Sequence, residues 1–217
     1  MSCFSRFFFG ATFGCLLFAS SPVWADTIPV LNASFETLPT GGLNFSCGAG
    51  CAYSFGPITG WASTGNSGQF QPGIPTNFNT VSDGPTSAYS NGGMLSQVVS
   101  ATVQAGVTYT LNVDLGWRND APFTGSAALL IGTTEYLAGG TAVEGQFTTF
   151  TATYTGTVAD AGSPITIQLL SSGIEGNFDN VRLTDTAAIS NAPEPTAFSL
   201  FGLGLVGAGW LFRRRIL

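Results

Sequence analysis

The chain contains no histidine and no lysine, and charged side chains make up only 8% of its 217 residues. Without histidine, Ser-His-Asp and Cys-His nucleophile systems and the H-E-x-x-H zinc motif are excluded. The G-x-S-x-G elbow and a phosphate-binding glycine loop are missing as well. Cationic groups are scarce: six arginines face twelve carboxylates, three of them clustered as Arg213, Arg214 and Arg215. Between Asp26 and Ala192 two arginines, Arg118 and Arg182, stand against eleven carboxylates, a net of −9. So acidic a segment is repelled by phosphate backbones, which argues against nucleic acid as a partner.

What the chain does have lies first at its ends. Arg6 precedes an apolar stretch from Phe7 to Phe18, and Val23-Trp24-Ala25 offers an A-x-A-like site before Asp26. That is the layout of a secretory signal peptide, 1–25, so the Sec translocon and signal peptidase are expected partners and the mature chain is expected to begin at Asp26 after cleavage behind Ala25. A lipidated Cys15 is the weaker reading, because Leu16 to Phe18 continue the apolar core beyond it.

At the other end Pro193-Glu194-Pro195 is followed by an uncharged run, Thr196 to Phe212, and then by the three arginines. At about 1.5 Å per residue a helix over this run covers roughly 25 Å, just short of the ~30 Å hydrocarbon core. Arginine stems extend its reach and mark that end as cytoplasmic. Proline, glutamate, proline, membrane helix and basic cluster, in this order, resemble the PEP-CTERM proteins of Gram-negative bacteria. The resemblance implies that 193–217 is a sorting signal, with a transmembrane helix over 196–212, read by exosortase, a membrane cysteine protease and transpeptidase. The protein would then pass through the inner membrane transiently, with its domain periplasmic, before reaching the outer surface or extracellular matrix.

An exported chain meets oxidising conditions. Cys3 and Cys15 leave with the signal peptide, and Cys47 and Cys51 remain, four positions apart. They are expected to form a disulfide that stiffens a local loop; a zinc shell would need carboxylates to complete it.

The remaining 26–185, joined by a linker over 186–192 to the sorting signal, is large enough for one domain with its own core. Val107, Tyr109, Leu111, Val113, Leu115 and Trp117 alternate with smaller or polar residues, a two-residue period that reads as a strand. Further strands are expected over Gln97 to Val103, Ser126 to Ile131, Thr134 to Leu137, Gln146 to Thr155, Ile165 to Ser171 and Asn177 to Thr184, at the spacing of a sandwich. Leu38 to Ser96, dense in Gly, Pro, Asn and Ser, is expected to be long loops with one or two short strands. The fold class is therefore all-β: an antiparallel jelly-roll or β-sandwich, flanked by an N-terminal signal helix and a C-terminal transmembrane helix.

Asn32-Ala33-Ser34-Phe35-Glu36, the pair Gly60-Trp61 and the closing Phe178-Asp179-Asn180-Val181-Arg182-Leu183 resemble galactose-binding-like jelly rolls, the sandwich of many carbohydrate-binding modules. The resemblance implies a structural calcium held by an acidic residue of the opening segment and the aspartate of the last strand, here Glu36 and Asp179. Asp179 also shares strand parity with Val181 and Leu183, so it is expected to point toward the core, where a bare carboxylate is costly and a hard cation would satisfy it. The competing reading is a strand-end cap. No cofactor is otherwise required.

Candidate ligand-binding groups are Trp61, Tyr89 and the Trp117-Arg118-Asn119-Asp120 cluster, where aromatic faces adjoin hydrogen-bonding side chains. Against this, Trp117 continues the inward parity of Val113 and Leu115, and Arg118 can simply pair with Asp120. A carboxylate pair drawn from Glu36, Glu135, Glu144 and Glu175 is the one catalytic arrangement left, as in glycoside hydrolysis, and nothing in their spacing brings two together. The expected function is non-enzymatic: an exported envelope protein sorted by exosortase, structural or associated with extracellular polysaccharide in a biofilm matrix. The alternative is a carbohydrate-binding module with a defined glycan; a glycoside hydrolase is the remote one.

Overall fold

A computed structural model describes residues 25–187. The signal segment before Ala25, the sorting motif Pro193 to Pro195, the run 196–212 and Arg213 to Arg215 lie outside the described residues. Among the described residues no helix is long and apolar enough to cross a membrane.

Eleven strands follow in order: β1 (Ala25–Ile28), β2 (Phe45–Gly48), β3 (Cys51–Tyr53), β4 (Ala62–Gln71), β5 (Ser87–Thr102), β6 (Val107–Trp117), β7 (Gly125–Ile131), β8 (Thr134–Leu137), β9 (Gln146–Thr155), β10 (Pro164–Ser171) and β11 (Gly176–Ala187). Every ladder is antiparallel. One layer runs β2-β3-β4-β5-β10-β7-β8. The other runs β9-β6-β11-β1. β5 joins them: Ala88, Tyr89 and Ser90 pair with β11, and from Met94 onward the strand pairs with β10. This is the all-β sandwich that the sequence pattern implies.

Alternation builds the core. Tyr109, Leu111, Val113 and Leu115 of β6 pack with Leu95 and Val99 of β5, Leu129 of β7, Ile165, Ile167 and Leu169 of β10, and Leu183 of β11, nearly all inaccessible to solvent. Removing this apolar area from water, at about 25 cal/mol per Å², is the main drive for closing the two layers. The intervening β6 residues point outward. There the register lines up Thr27, Thr184, Thr110 and Thr153 as one row across β1, β11, β6 and β9.

The segment Leu38 to Ser96 departs from the expected loops. It carries β2, β3, the ten-residue β4 and the first ten residues of β5. Its strands escape apolar alternation because they are held by close pairing of small residues. At Gly68 of β4 a Cβ would overlap the carbonyl oxygen of Ser54, and at Gly93 of β5 one would overlap that of Thr64. Gln69, fully buried, donates from Nε2 to the carbonyl oxygens of Phe35 and Thr37, tying the opening segment to β4.

Candidate functional site

β3, β4 and β5 continue through the first residues of β11 into the end of β6. The face of this surface that turns away from the main core bears a second, smaller cluster of Phe70, Phe78, Tyr89 and Cys51, with Tyr53 and Phe147 packed beside it. Strand parity explains the set: Tyr53 lies opposite Phe70, and Tyr89 lies between Gly68 and Asn177. Gly68 leaves room for the Tyr89 ring, whose edge would stand 3.0 Å from a Cβ there.

Above this cluster is a cleft of about 350 Å³. Tyr53, Phe55, Phe70 and Tyr89 form its aromatic wall, Cys47 and Cys51 close one side, and Asn66, Asn91, Arg118 and Glu175 supply its polar groups. Cys47 and Cys51 are joined as the expected disulfide. Phe45 stacks on Tyr53 and both meet Phe55 edge-on, at centroid separations of 5.0 to 5.3 Å, and Phe45 and Phe55 are about half exposed.

Arg118 organises the polar side. Its Cζ lies 5.1 Å from the Phe70 ring centre, a cation–π contact. Its Nε and Nη2 donate to both oxygens of Asp120, at 2.8 and 2.7 Å, and Nη1 stands 2.7 Å from Oε2 of Glu175. Burial opposes its charge, but Asp120 and Glu175 outweigh that and hold its pKa above the usual arginine value. The hydrogen bonds from Arg118 in turn hold the Asp120 carboxyl below the ordinary range. Asn77 adds a 3.1 Å bond to Asp120. Glu175 has φ +64°, and Asn91 Oδ1 accepts its backbone N–H at 2.7 Å, which fixes the turn presenting it. Burial, reinforced by the Glu175 charge, pushes the Tyr89 hydroxyl up to about 12. It therefore stays protonated and donates to the Ser54 carbonyl at 3.0 Å.

Of the groups singled out from sequence, Tyr89 and Arg118 line the cleft and Asp120 braces Arg118. Trp61 does not reach it. It is 6% exposed, packs 5.4 Å from Phe35 in the main core, and donates from Nε1 to the Asn32 carbonyl. Trp117 is half-buried and tilted against Phe123 at 6.0 Å. Of the four glutamates weighed for hydrolysis only Glu175 enters the cleft, and its carboxylate is committed to Arg118. Tyr53, Phe55 and Phe70 belong to the Gly-, Pro-, Asn- and Ser-dense stretch Leu38 to Ser96, where no apolar periodicity marks them.

Glu36 and Asp179 grip a second region, the turn from Ser82 to Thr86. Asp179 Oδ2 accepts the Asp83 amide at 2.9 Å, its Oδ1 accepts the Asn180 amide at 2.7 Å, and Glu36 Oε1 accepts the Thr86 amide at 2.8 Å. The expectation that Asp179 points into the core with Val181 and Leu183 is corrected here. A bulge with Asn180 at φ +48° shifts the register, so that Phe178, opposite Leu115, faces the core. Asp179 lies opposite Asp114 on the outer face, fully covered by the turn. Burial pushes its pKa up to about 8 against the pull of the two amides. Neighbouring Asp114 is engaged by Ser82, Asn180, Thr149 and Arg182.

Asp179 meets one requirement of a cation site: a buried carboxyl that, among the described residues, has no ion-pair partner. Among the described residues no group of three Asp, Glu, Cys or His is gathered to hold a metal, so the remaining ligands would have to be backbone oxygens.

Residues 26–184 match the model of the HpiC1-like family, described as HpiC1 cyclase. The chain belongs to the HpiC1-like family. Residues 191–215 match the PEP-CTERM protein-sorting motif, which contains Pro193, Glu194, Pro195 and all three terminal arginines. This motif marks the protein as an exported, exosortase-sorted protein of a Gram-negative bacterium. No curated protein matches the sequence. Among solved structures, the Stig cyclase Fisc from Fischerella sp. TAU, in complex with (3Z)-3-(1-methyl-2-pyrrolidinylidene)-3H-indole, is 25% identical. The alignment covers 76% of this chain and all of that one, with a TM-score of 0.64. A Fischerella sp. TAU cyclase in complex with 4-(1H-indol-3-yl)butan-2-one is 24% identical over 75% of this chain and 99% of that one, TM-score 0.60. The CBM22-1 xylan-binding domain of Paenibacillus barcinonensis Xyn10C stands further off, 10% identical over 80% of this chain and all of that one at a TM-score of 0.45, too distant to bear on the ligand.

Proposed function

We propose that the processed HpiC1-like domain is a glycan-binding component of the cell envelope or extracellular polysaccharide, with the cleft beside Arg118 as its binding site. The observation that carries this reading is the pairing of an aromatic wall, Tyr53 and Phe55, with Arg118, Asn66 and Glu175 in one open cleft. Sugars present a flat C–H face that stacks on such rings and hydroxyls that need donors and acceptors beside them. The Asp120 and Glu175 pairs hold the guanidinium in place before a ligand arrives, which lowers the ordering cost of binding. A role as a biofilm matrix component follows if the glycan is the organism's own exopolysaccharide. A glycan array probed with the processed protein tests the reading: retention of a defined set, lost in Tyr53→Ala, supports it, and uniform retention unaffected by that change speaks against a site.

Cyclase activity is the second reading, favoured by the family match and by Asp179. A carboxyl kept protonated to about pH 8 is the acid an acid-assisted cyclisation needs, and such shifted groups concentrate at functional sites. The cleft itself offers no such acid, since Glu175 is ion-paired and Tyr89 already donates to Ser54. Asp179 would act only once the 82–86 turn opened. Titration with 4-(1H-indol-3-yl)butan-2-one is the direct check: binding lost in Asp179→Asn favours a cyclase-like site, and no binding removes the reading.

The structural calcium at Glu36 and Asp179 is a separate proposal, supported by the buried carboxylate of Asp179. It requires that group ionised, the opposite of the acid reading. An unchanged melting temperature on addition of a chelator would dispose of it.

A further inference from the structure

The register of β1 on β11 sets Ala25 opposite Thr186, so the chain enters and leaves the sandwich at the same end. The sorting motif begins at residue 191. Eight residues, 188–195, lie between Ala187 and Thr196, where the expected membrane run begins, so even fully extended they separate the two by at most about 32 Å. β11 carries the chain to this end from Glu175, which sits in the cleft just before Gly176. Its twelve residues, at about 3.3 Å each, place the cleft roughly 40 Å from the tether. β6 agrees in the opposite direction, running from Val107, opposite Ala187, to Trp117 and the cleft residue Arg118.

The tether end has a character of its own. It is formed by the turns 104–106 and 156–163, which bring together Gly106 and Gly156, and Val103 and Gly162, through backbone hydrogen bonds. In these turns the one charged side chain is Asp160, bonded by Tyr154 Oη at 2.5 Å and Thr157 Oγ1 at 2.6 Å. Val158, 85% exposed, is the most prominent apolar side chain there. Asp26 and Asp185, opposite each other on β1 and β11, add two carboxylates at this end, so what favours its lying nearest the bilayer is the position of the tether rather than charge.

We propose that, before exosortase processing, the sandwich stands on the membrane surface by the turns 104–106 and 156–163 and holds its cleft outward, able to take ligand while still tethered. The partner of this surface is the bilayer itself. Even fully extended, this tether is shorter than β11, so the cleft end reaches the headgroups only if the whole domain lies flat. This inference rests on the sorting-signal assignment and extends the binding reading of the cleft.

The test uses the full chain after signal-peptide removal, reconstituted in vesicles whose headgroups carry a nitroxide quencher. One fluorophore is attached at a time, through Val158→Cys or through Ile174→Cys; both native side chains are well exposed and outside the binding machinery. Most of the fluorescence at position 158 is expected to be lost, with none lost at 174. Equal loss at the two positions, loss at 174 alone or loss at neither would overturn the orientation. The readout needs no glycan, so failure of glycan binding would sink the proposed function and leave this inference standing.

Discussion

Arg118 Nη1 lies 2.7 Å from Glu175 Oε2, joining the residue after β6 to the residue before β11 across the cleft. The same guanidinium grips Asp120, so one side chain, 13% exposed, is shared between two carboxylates and lies over Phe70. Arg118→Ala strips both partners at once. A loss of about 1–3 kcal/mol in urea denaturation is expected, together with about a tenfold or greater loss of glycan affinity. Arg118→Lys restores charge without the fork and should recover only part of either.

Trp61 offers the contrasting case, because its ring is spent on the core against Phe35. Trp61→Ala should cost about 3–5 kcal/mol of stability, read from the denaturation midpoint. Trp61→Phe, in protein that remains folded, should bind glycan as the wild type does.

Gly68 is needed for space. Gly68→Ala drives a methyl into the Ser54 carbonyl and should shift the β3–β4 pairing, lowering the melting temperature and weakening the cleft through Tyr53 and Tyr89. Gly139→Ala, where nothing lies within 4 Å of the added atom, should leave both unchanged. Parallel thermal melts of the two variants decide the point.

Asp179 makes stability depend on pH. Its ordinary pKa is about 4 and its folded value about 8, so without a cation the folded chain holds a proton that the unfolded chain has released. The resulting stabilisation is complete below about pH 4 and is lost as pH rises through about 8. In chelator the melting temperature should therefore fall across this interval, and Asp179→Asn should flatten the slope. If calcium binds, adding it should remove the wild-type slope and raise the upper end. Identical slopes for wild type and Asp179→Asn in chelator would contradict a buried, cation-free carboxylate.

Much of the sandwich is legible in the sequence because burial on one face imposes a two-residue period. The limits of β6, β8 and β9 coincide with those expected from alternation alone, and β7, β10 and β11 differ by a residue or a few. β4 is not legible, since Ala62 to Gln71 pairs through Gly, Ser and Asn rather than through an apolar stripe. Parity counting puts Asp179 on the wrong face because it assumes an unbroken strand, and a bulge at a positive-φ asparagine leaves no mark in the pattern. Arg118 and Tyr89 stand out as residue types, but their meeting with Tyr53, Phe70 and Glu175 depends on the ladder connecting β5 to β11, which no local signal encodes. Trp61 shows the reverse: a loop tryptophan resembles a sugar platform in sequence, and the Gln97 bonds to Leu31 and Gly60 fold its segment inward.

The most direct test of a ligand site in the cleft is isothermal titration of the processed protein with the glycan best retained on an array, comparing wild type, Tyr53→Ala and Trp61→Phe. One-site binding that is abolished in Tyr53→Ala and unchanged in Trp61→Phe is the expected result. Binding that survives Tyr53→Ala, or no binding by the wild type, would contradict the assignment of the cleft beside Arg118 as a glycan site.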